Sequence, residues 1–549
     1  MKSNIDISPD LILHNANILT VDEDFNLQSA IAIKNETIMA VGTNEEVLSL
    51  TGVVTKVVDL EGKTIIPGLI DVHNQFQDRS AVQYFGAHVD LPSTVEDVLG
   101  GLKVAVNRVP EGEFITCNSG WYPHMLEEER APTIDEMDEV APNHPVVLWG
   151  EFFYCNSKAL EISGIDKNTP QPEFGWIGKD EKTEELTGIM YGSAINLVDQ
   201  KFRTYTPEQR AEALRWSSKQ MVASGITSIR DPKRTVEDIR VYQSLVASGE
   251  LPLRISVQRY IPSSVNADEV LDLFDQEIVY TPIGNNRFQI DRAGYFYTDG
   301  GYHRMKLSVP VNPAPGIPSD GRPHFEVEQS QESLEKIVLG MARRGFTGSI
   351  MAAGDVALDL ALQVLEKADQ EVGISDKRWV LAHVIYPNKQ QIERIKKLGA
   401  IVTPMWHHHY YYPTQVFYHG EEFAQRTDPF KDLLDAGVVV AQGTDISTIP
   451  LNYFIGIYFM VTRNTWKWGK ANPDQFVSRE DALRMMTING AYTTFEENKK
   501  GSLEVGKYAD LAVLSDDLMT ISEENIPGIK VLATMVGGQF VYQDSNTIL

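Results

Sequence analysis

Three side chains able to hold a metal ion or move a proton stand at the ends of apolar runs in this sequence. His73 closes KTIIPGLIDVH (residues 63–73), His383 lies in the run Trp379 to Val384, and Asp445 follows Val438 to Gln442 across Gly443-Thr444. A lone histidine ending an apolar strand is most often a hydrogen-bonded structural residue. Brought to one place, two imidazoles and a carboxylate form the donor set of an open facial metal site, or a proton-transfer group with the carboxylate as base. Other candidates cluster nearby in type. Tyr295, Tyr297, Tyr302 and His303 surround Asp299, the run Trp406 to Tyr412 reads WHHHYYY, and Glu151 stands beside Phe152, Phe153 and Tyr154. Tyrosine and histidine offer proton donors of different pKa, and aromatic faces pack flat substrates. The plain alternative for the His/Tyr run is an exposed loop. The Gly-Gly pairs lack phosphate-loop spacing, and Gly443-Thr444-Asp445 lacks the serine of a nucleophile elbow.

These residues need a frame that points strand ends at one place. The middle of the chain alternates apolar strands with helical stretches: Pro207 to Ala223 precedes Gly225 to Arg230, Val236 to Ala247 precedes Arg254 to Arg259, and Gln331 to Arg344 precedes Ser349 to Ala353. The rhythm continues through Trp379 to Val384, Ala400 to Thr403 and Val438 to Gln442. Regular alternation predicts parallel strands with crossover helices, and this many units predicts a (β/α)8 barrel over 66–499, with its chemistry at the C-terminal strand ends. Between about Asp90 and Gln200 the rhythm breaks, which predicts a capping insertion over 90–200 after the first barrel strand. Both ends read as short strands: Asp10 to Thr20, Ala30 to Ile33, Thr37 to Val41 and Val54 to Leu60, then Ala509 to Leu514, Lys530 to Val536 and Gln539 to Tyr542. Neither end buries a full core alone, so 1–65 and 500–549 are expected to form one composite β domain. The fold class is α/β.

At 549 residues the chain is long enough for more than one packed unit. Acidic residues outnumber basic ones, 76 to 49, for a net charge of −27, a field that disfavours nucleic acid and anionic membrane surfaces. Cys117 and Cys155 are the only cysteines, too few for a disulfide framework. A reducing, cytoplasmic location is expected, with no membrane partner.

KTIIPGLIDVH resembles the first barrel strand of the amidohydrolase superfamily. Gly120-Trp121-Tyr122, Ala131-Pro132-Thr133 and Asn156-Ser157-Lys158-Ala159-Leu160 followed by Gly164 resemble its YtcJ-like branch, amidohydrolase family 3. Gly354-Asp355, Arg378 to His383, Gly443-Thr444-Asp445 and the tail GSLEVGKYAD (501–510) continue the resemblance in order over nearly the whole chain. The resemblance implies a TIM-like barrel, a composite β-sandwich domain, and hydrolysis of C–N bonds. It also implies one or two divalent metals held by a His-x-His pair, a carboxylated lysine, two later histidines and an aspartate. Here the second histidine position carries Gln75, the lysine position Tyr295 and the fifth-strand histidine position Met351, while His73, His383 and Asp445 remain. Glu151 stands where the family's cap commonly has a histidine. In the family pattern His73 and Asp445 serve one metal position and His383 the other, so a shared ion is not expected.

The expected protein is therefore an enzyme on this scaffold that works without the binuclear centre and without a cofactor. Asp445 is the base, His383 and His73 orient it or shuttle protons, and Tyr295 with one of His407 to His409 polarises a carbonyl or protonates a leaving group. Substrate contacts are expected from Gln75, Trp121, Tyr122, Glu151, Tyr297, Tyr302, His303, Met351, Trp406, His407, His408 and His409. The expected substrate is a small planar, aromatic molecule, and C–N or C–C hydrolysis, hydration and elimination all fit. Two alternatives stand beside this reading. One is a mononuclear hydrolase whose zinc, iron or manganese sits on His73, His383 and Asp445; the other is a non-catalytic ligand-binding or regulatory protein. A homodimer is the expected assembly.

Overall fold

The computed structural model describes residues 8–545 except 119, 234, 262–264, 278–282, 315–329 and 446–450. The outermost residues of the expected composite β domain, 1–7 and 546–549, lie outside the described residues.

Seven parallel strands pair in sequence order: Leu69–Asp71, Ile226–Lys233, Arg254–Tyr260, Phe288–Tyr297, Thr347–Ala352, Val380–His383 and Ile401–Thr403. Helices cover the outside, so the strands are buried almost throughout, as near-continuous apolar runs require. The eighth position is filled by residues 438–445, through bridges rather than a long ladder. Val402 pairs with Val440 and Met405 with Gly443 on one side. On the other, Val72 N donates to Gln442 O at 3.3 Å and Asp445 N to His73 O at 2.8 Å. The ladder stays short because Gln442 N is taken by Met485 O at 2.9 Å. These contacts close the barrel and carry the first and eighth strand ends side by side.

The crossover helices start where their sequences provide caps. Thr206 with Gln209, Thr235 with Asp238 and Asn388 with Gln391 form reciprocal capping boxes, satisfying amide donors that would otherwise lack partners.

Both chain ends build the β-sandwich. A six-stranded sheet runs Gln539–Gln543, Val531–Val536, Leu511–Leu514, Thr64–Pro67, Asn17–Leu19, Leu27–Gln28, with Leu511 opposite Pro67 where the two ends meet. A four-stranded sheet faces it, and Leu13, Ile18, Ile31, Ile65, Val513 and Met535 fill the space between. The stretch Asp10 to Thr20 is not one strand. It splits into Leu11–His14 and Asn17–Leu19 around Asn15, whose φ of 53° turns the chain from one sheet to the other. A buried Arg254–Asp510 ion pair at 2.6 Å ties the sandwich to the third barrel strand.

The insertion after the first strand folds into its own five-stranded sheet, ordered Gly175–Lys179, Leu186–Gly192, Phe153–Cys155, Val146–Trp149, Ile115–Thr116. It has a separate core around Val98, Leu102, Trp121 and Leu148. Among the described residues, no helix is long and apolar enough to cross a membrane.

Candidate active site

The barrel's C-terminal mouth and the cap enclose a cavity of about 660 Å³. His73 lies just past the first strand, His383 ends the sixth, and Asp445 follows the eighth segment. His383 and Asp445 take positive φ values, 69° and 45°, in the left-handed region that non-glycine residues rarely adopt. Such backbone persists only where surrounding contacts over-determine it. Buried Asp71 braces the residues beside Asp445 and His73. Its carboxyl accepts the amides of His73 at 3.2 Å and Thr444 at 3.1 Å, Asn74 Nδ2 at 2.6 Å, and the hydroxyls of Thr444 and Tyr453. It thereby clamps the first strand end to the eighth.

The result is a compact donor cluster. One ligating atom each from His73, His383 and Asp445 lie within 4.8 Å of one another. His73 Nε2 stands 3.9 Å from Asp445 Oδ1, and the His73 and His383 rings meet edge-on with centroids 5.4 Å apart. The expected separation of His383 from the other two does not hold, because strands six, eight and one of a closed barrel converge on one mouth. Two neighbouring side chains hold this cluster in place. Gln75 Nε2 donates to Asp445 Oδ1 at 2.7 Å, and Tyr295 OH lies 3.4 Å from His73 Nε2.

Burial sets the protonation states. It pulls the His73 imidazole down despite the opposing charge of Asp445, and holds His383 well below its ordinary value. His407, buried beside His408, is pushed down to about 3. For Asp445 burial acts upward, but His73, His383, His407 and Arg79 outweigh it and hold the carboxyl at about 2. Glu151 reaches the same cavity from the tip of the cap hairpin between Val146–Trp149 and Phe153–Cys155. Both its oxygens are buried without a hydrogen-bond partner among the described residues, and this desolvation lifts it to about 8.

Of the remaining residues singled out by sequence, Gln75, Tyr122, Tyr295, Tyr297 and Tyr302 line the cavity, as do His303, Met351, His407 and His408. Three do not. Trp121 is sunk in the cap core, stacked on Tyr154 at 5.4 Å, because the cap needs a large apolar centre of its own. Trp406 packs beside Tyr453 and Phe459, and His409 stacks on Phe459 at 5.7 Å and Phe430 at 6.1 Å. The cause is local: Trp406–His409 is a 3-10 helix, in which residues three apart share a face. Trp406, His409 and Tyr412 therefore turn into the packed layer while His407, His408 and Tyr411 face the cavity. The run is buried rather than an exposed loop.

Sequence reasoning missed Tyr411, Arg79, Tyr191 and Arg304 on the wall, and Asp428 behind it. The three-residue period would have found Tyr411. Arg79, one turn into the helix Phe76–Phe85, lies with its guanidinium carbon 4.0 Å from the centre of the Trp149 ring, a cap contact that no local pattern encodes.

Residues 56–542 match the amidohydrolase family, and the chain belongs to it. The N-substituted formamide deformylase of Arthrobacter pascens is 26% identical over 563 aligned residues, covering 98% of this chain and 99% of the relative. The putative amidohydrolase YtcJ of Bacillus subtilis is 23% identical, covering 97% and 99%. A crystal structure of an uncharacterised metal-dependent hydrolase from Pyrococcus horikoshii superposes with a TM-score of 0.72 at 22% identity, covering 94% of this chain and 99% of that one.

Proposed function

We propose that this chain is a mononuclear, metal-dependent amidohydrolase that cleaves the C–N bond of a small N-substituted amide, with N-substituted formamides as the first class to try. The observation that carries this reading is the convergence of His73, His383 and Asp445 on one point. Nitrogen and oxygen donors in this number suit zinc, iron or manganese and leave positions open for substrate and water. Three donors rather than five or six favour a single ion. The full-length relative named as a formamide deformylase supports the bond type.

When bound, a divalent cation supplies Lewis acidity, acidifying water and polarising a carbonyl oxygen. The chain's own residues supply the rest. Asp445, kept ionised by its neighbours, takes a proton from the attacking water and returns it to the leaving nitrogen. Gln75 fixes the carboxylate by binding Oδ1, and Tyr295 holds the His73 ring. Tyr122, Tyr297 and Tyr411 give the substrate flat walls and exclude bulk water.

A metal-free acid–base enzyme is the second reading. It is favoured by the engagement of Asp445 Oδ1 and His73 Nε2 by Gln75 and Tyr295. Elemental analysis of protein purified without added metal, paired with chelation and a panel of N-substituted formamides, separates the two. About one divalent ion per chain, with turnover lost on chelation and restored by zinc, is the expected result. Turnover that survives with no metal present overturns the metal reading.

A further inference from the structure

Behind His383 runs a chain of buried polar groups that the proposed chemistry does not use. His383 Nδ1 is 3.4 Å from His408 Nε2, and His408 Nδ1 is 2.9 Å from Asp428 Oδ1. All three residues are buried. Asp428 is held rigidly. Its amide donates to Ile385 O at 2.7 Å, in the same loop that carries His383, and its φ of 45° is again left-handed. Thr427 Oγ1 donates to Asp428 Oδ2 at 3.2 Å, and buried Arg463, which donates to Thr427 O at 3.0 Å, lies within reach of the Asp428 charge. Gln415 Nε2 grips the His408 carbonyl at 2.9 Å.

Direction along the chain follows from donor and acceptor chemistry. A carboxylate only accepts, so His408 donates through Nδ1. A neutral imidazole then presents a lone pair at Nε2, which accepts from His383 Nδ1–H. His383 is left with a bare Nε2. The geometry points to Asp428 and His408 as positioning residues that set the tautomer of His383, so that Nε2 is the lone pair offered to the cavity. This rests on reading His383 as a ligand-presenting side chain, as proposed above. Partners behind a ligating histidine typically change metal affinity or activity by about 10–100-fold.

The test uses the full chain with 15N-labelled histidine. Long-range proton–nitrogen spectra should show His383 protonated at Nδ1 in the wild type. In Asp428→Asn the amide can reverse the chain, so His383 should gain an Nε2–H population, and zinc affinity by chelator competition should fall about 10–100-fold. His408→Phe should do the same. His408→Gln keeps an oxygen that accepts from His383 and should retain most of the affinity, and in that background Asp428→Asn should add nothing. If Asp428→Asn does not fold, the contrast between His408→Gln and His408→Phe decides. A proton on His408 Nε2 in the wild type, or an unchanged His383 tautomer in Asp428→Asn, overturns the relay. Absence of turnover on every amide would sink the amidohydrolase reading while leaving the spectra able to decide the relay.

Discussion

Two of the carboxyls that line the cavity behave oppositely. Asp445, on the barrel rim, sits among His73, His383, His407 and Arg79 and is held at about 2. Glu151, on the cap hairpin, has both oxygens buried without a partner among the described residues and is lifted to about 8. Burial is nearly as strong on both sides of the mouth. The difference lies in the company, since the barrel gathers strand ends from all around its circumference, whereas the cap hairpin brings only its own aromatic neighbours. An ionised carboxylate therefore sits on the barrel, and near neutral pH the cap carries a neutral acid. Side-chain type alone decides neither state.

The largest test of this contrast is Asp445→Asn. It keeps the shape but cannot take a proton, so kcat should fall by about two to four orders of magnitude with substrate binding retained. Near wild-type turnover would place the proton acceptor elsewhere and erase the functional difference between the two acids.

Next in size is a stability effect at Glu151. Its folded pKa of about 8 lies above the ordinary 4.5, so the folded chain holds the proton more tightly than the unfolded chain. Its contribution is fully present below pH 4.5 and is lost as pH rises toward 8. Stability should decline across that window by up to about 1.4 kcal/mol per pH unit from this group. Glu151→Gln, neutral throughout, should remove that slope in denaturant titrations at several pH values. An unchanged slope would mean that Glu151 finds a partner or water in solution.

The smallest expected effect is at Tyr295→Phe, which removes one hydrogen bond to His73. A loss of about 0.5–1.5 kcal/mol, or a few-fold to about tenfold in kcat/KM, is expected. A drop as large as that of Asp445→Asn would make Tyr295 a participant in the chemistry rather than a support for His73.

The barrel was legible because its signal is local and repeated. Each strand is a short apolar run followed by a polar residue, and helix periodicity separates the runs. Asp445 and His383 could be named from such patterns, whereas the expectation that Gln75, Tyr295 and Met351 replace metal ligands rests on the family resemblance alone. The cap was harder. It has its own core, and Trp121 belongs to that core although its neighbour Tyr122 faces the cavity. WHHHYYY shows the same limit, because adjacent histidines of identical type point to opposite sides of one short helix. The long strand expected over Asp10 to Thr20 failed for a related reason: a single left-handed residue at Asn15 moves the chain between sheets, and asparagine tolerates that conformation without announcing it.

By itself the sequence determined the order of the strand and helix runs of the barrel and which residues of suitable chemistry end them, because hydrophobic periodicity acts over a few residues. Only the tertiary structure decided that one donor atom each from His73, His383 and Asp445 come within 4.8 Å of one another, that Gln75 and Tyr295 support them, and that Asp428 stands behind His408 and His383. These pairs lie far apart in sequence, and closure of the barrel brings them together. Their distances and protonation states come from packing and desolvation, which no local pattern records.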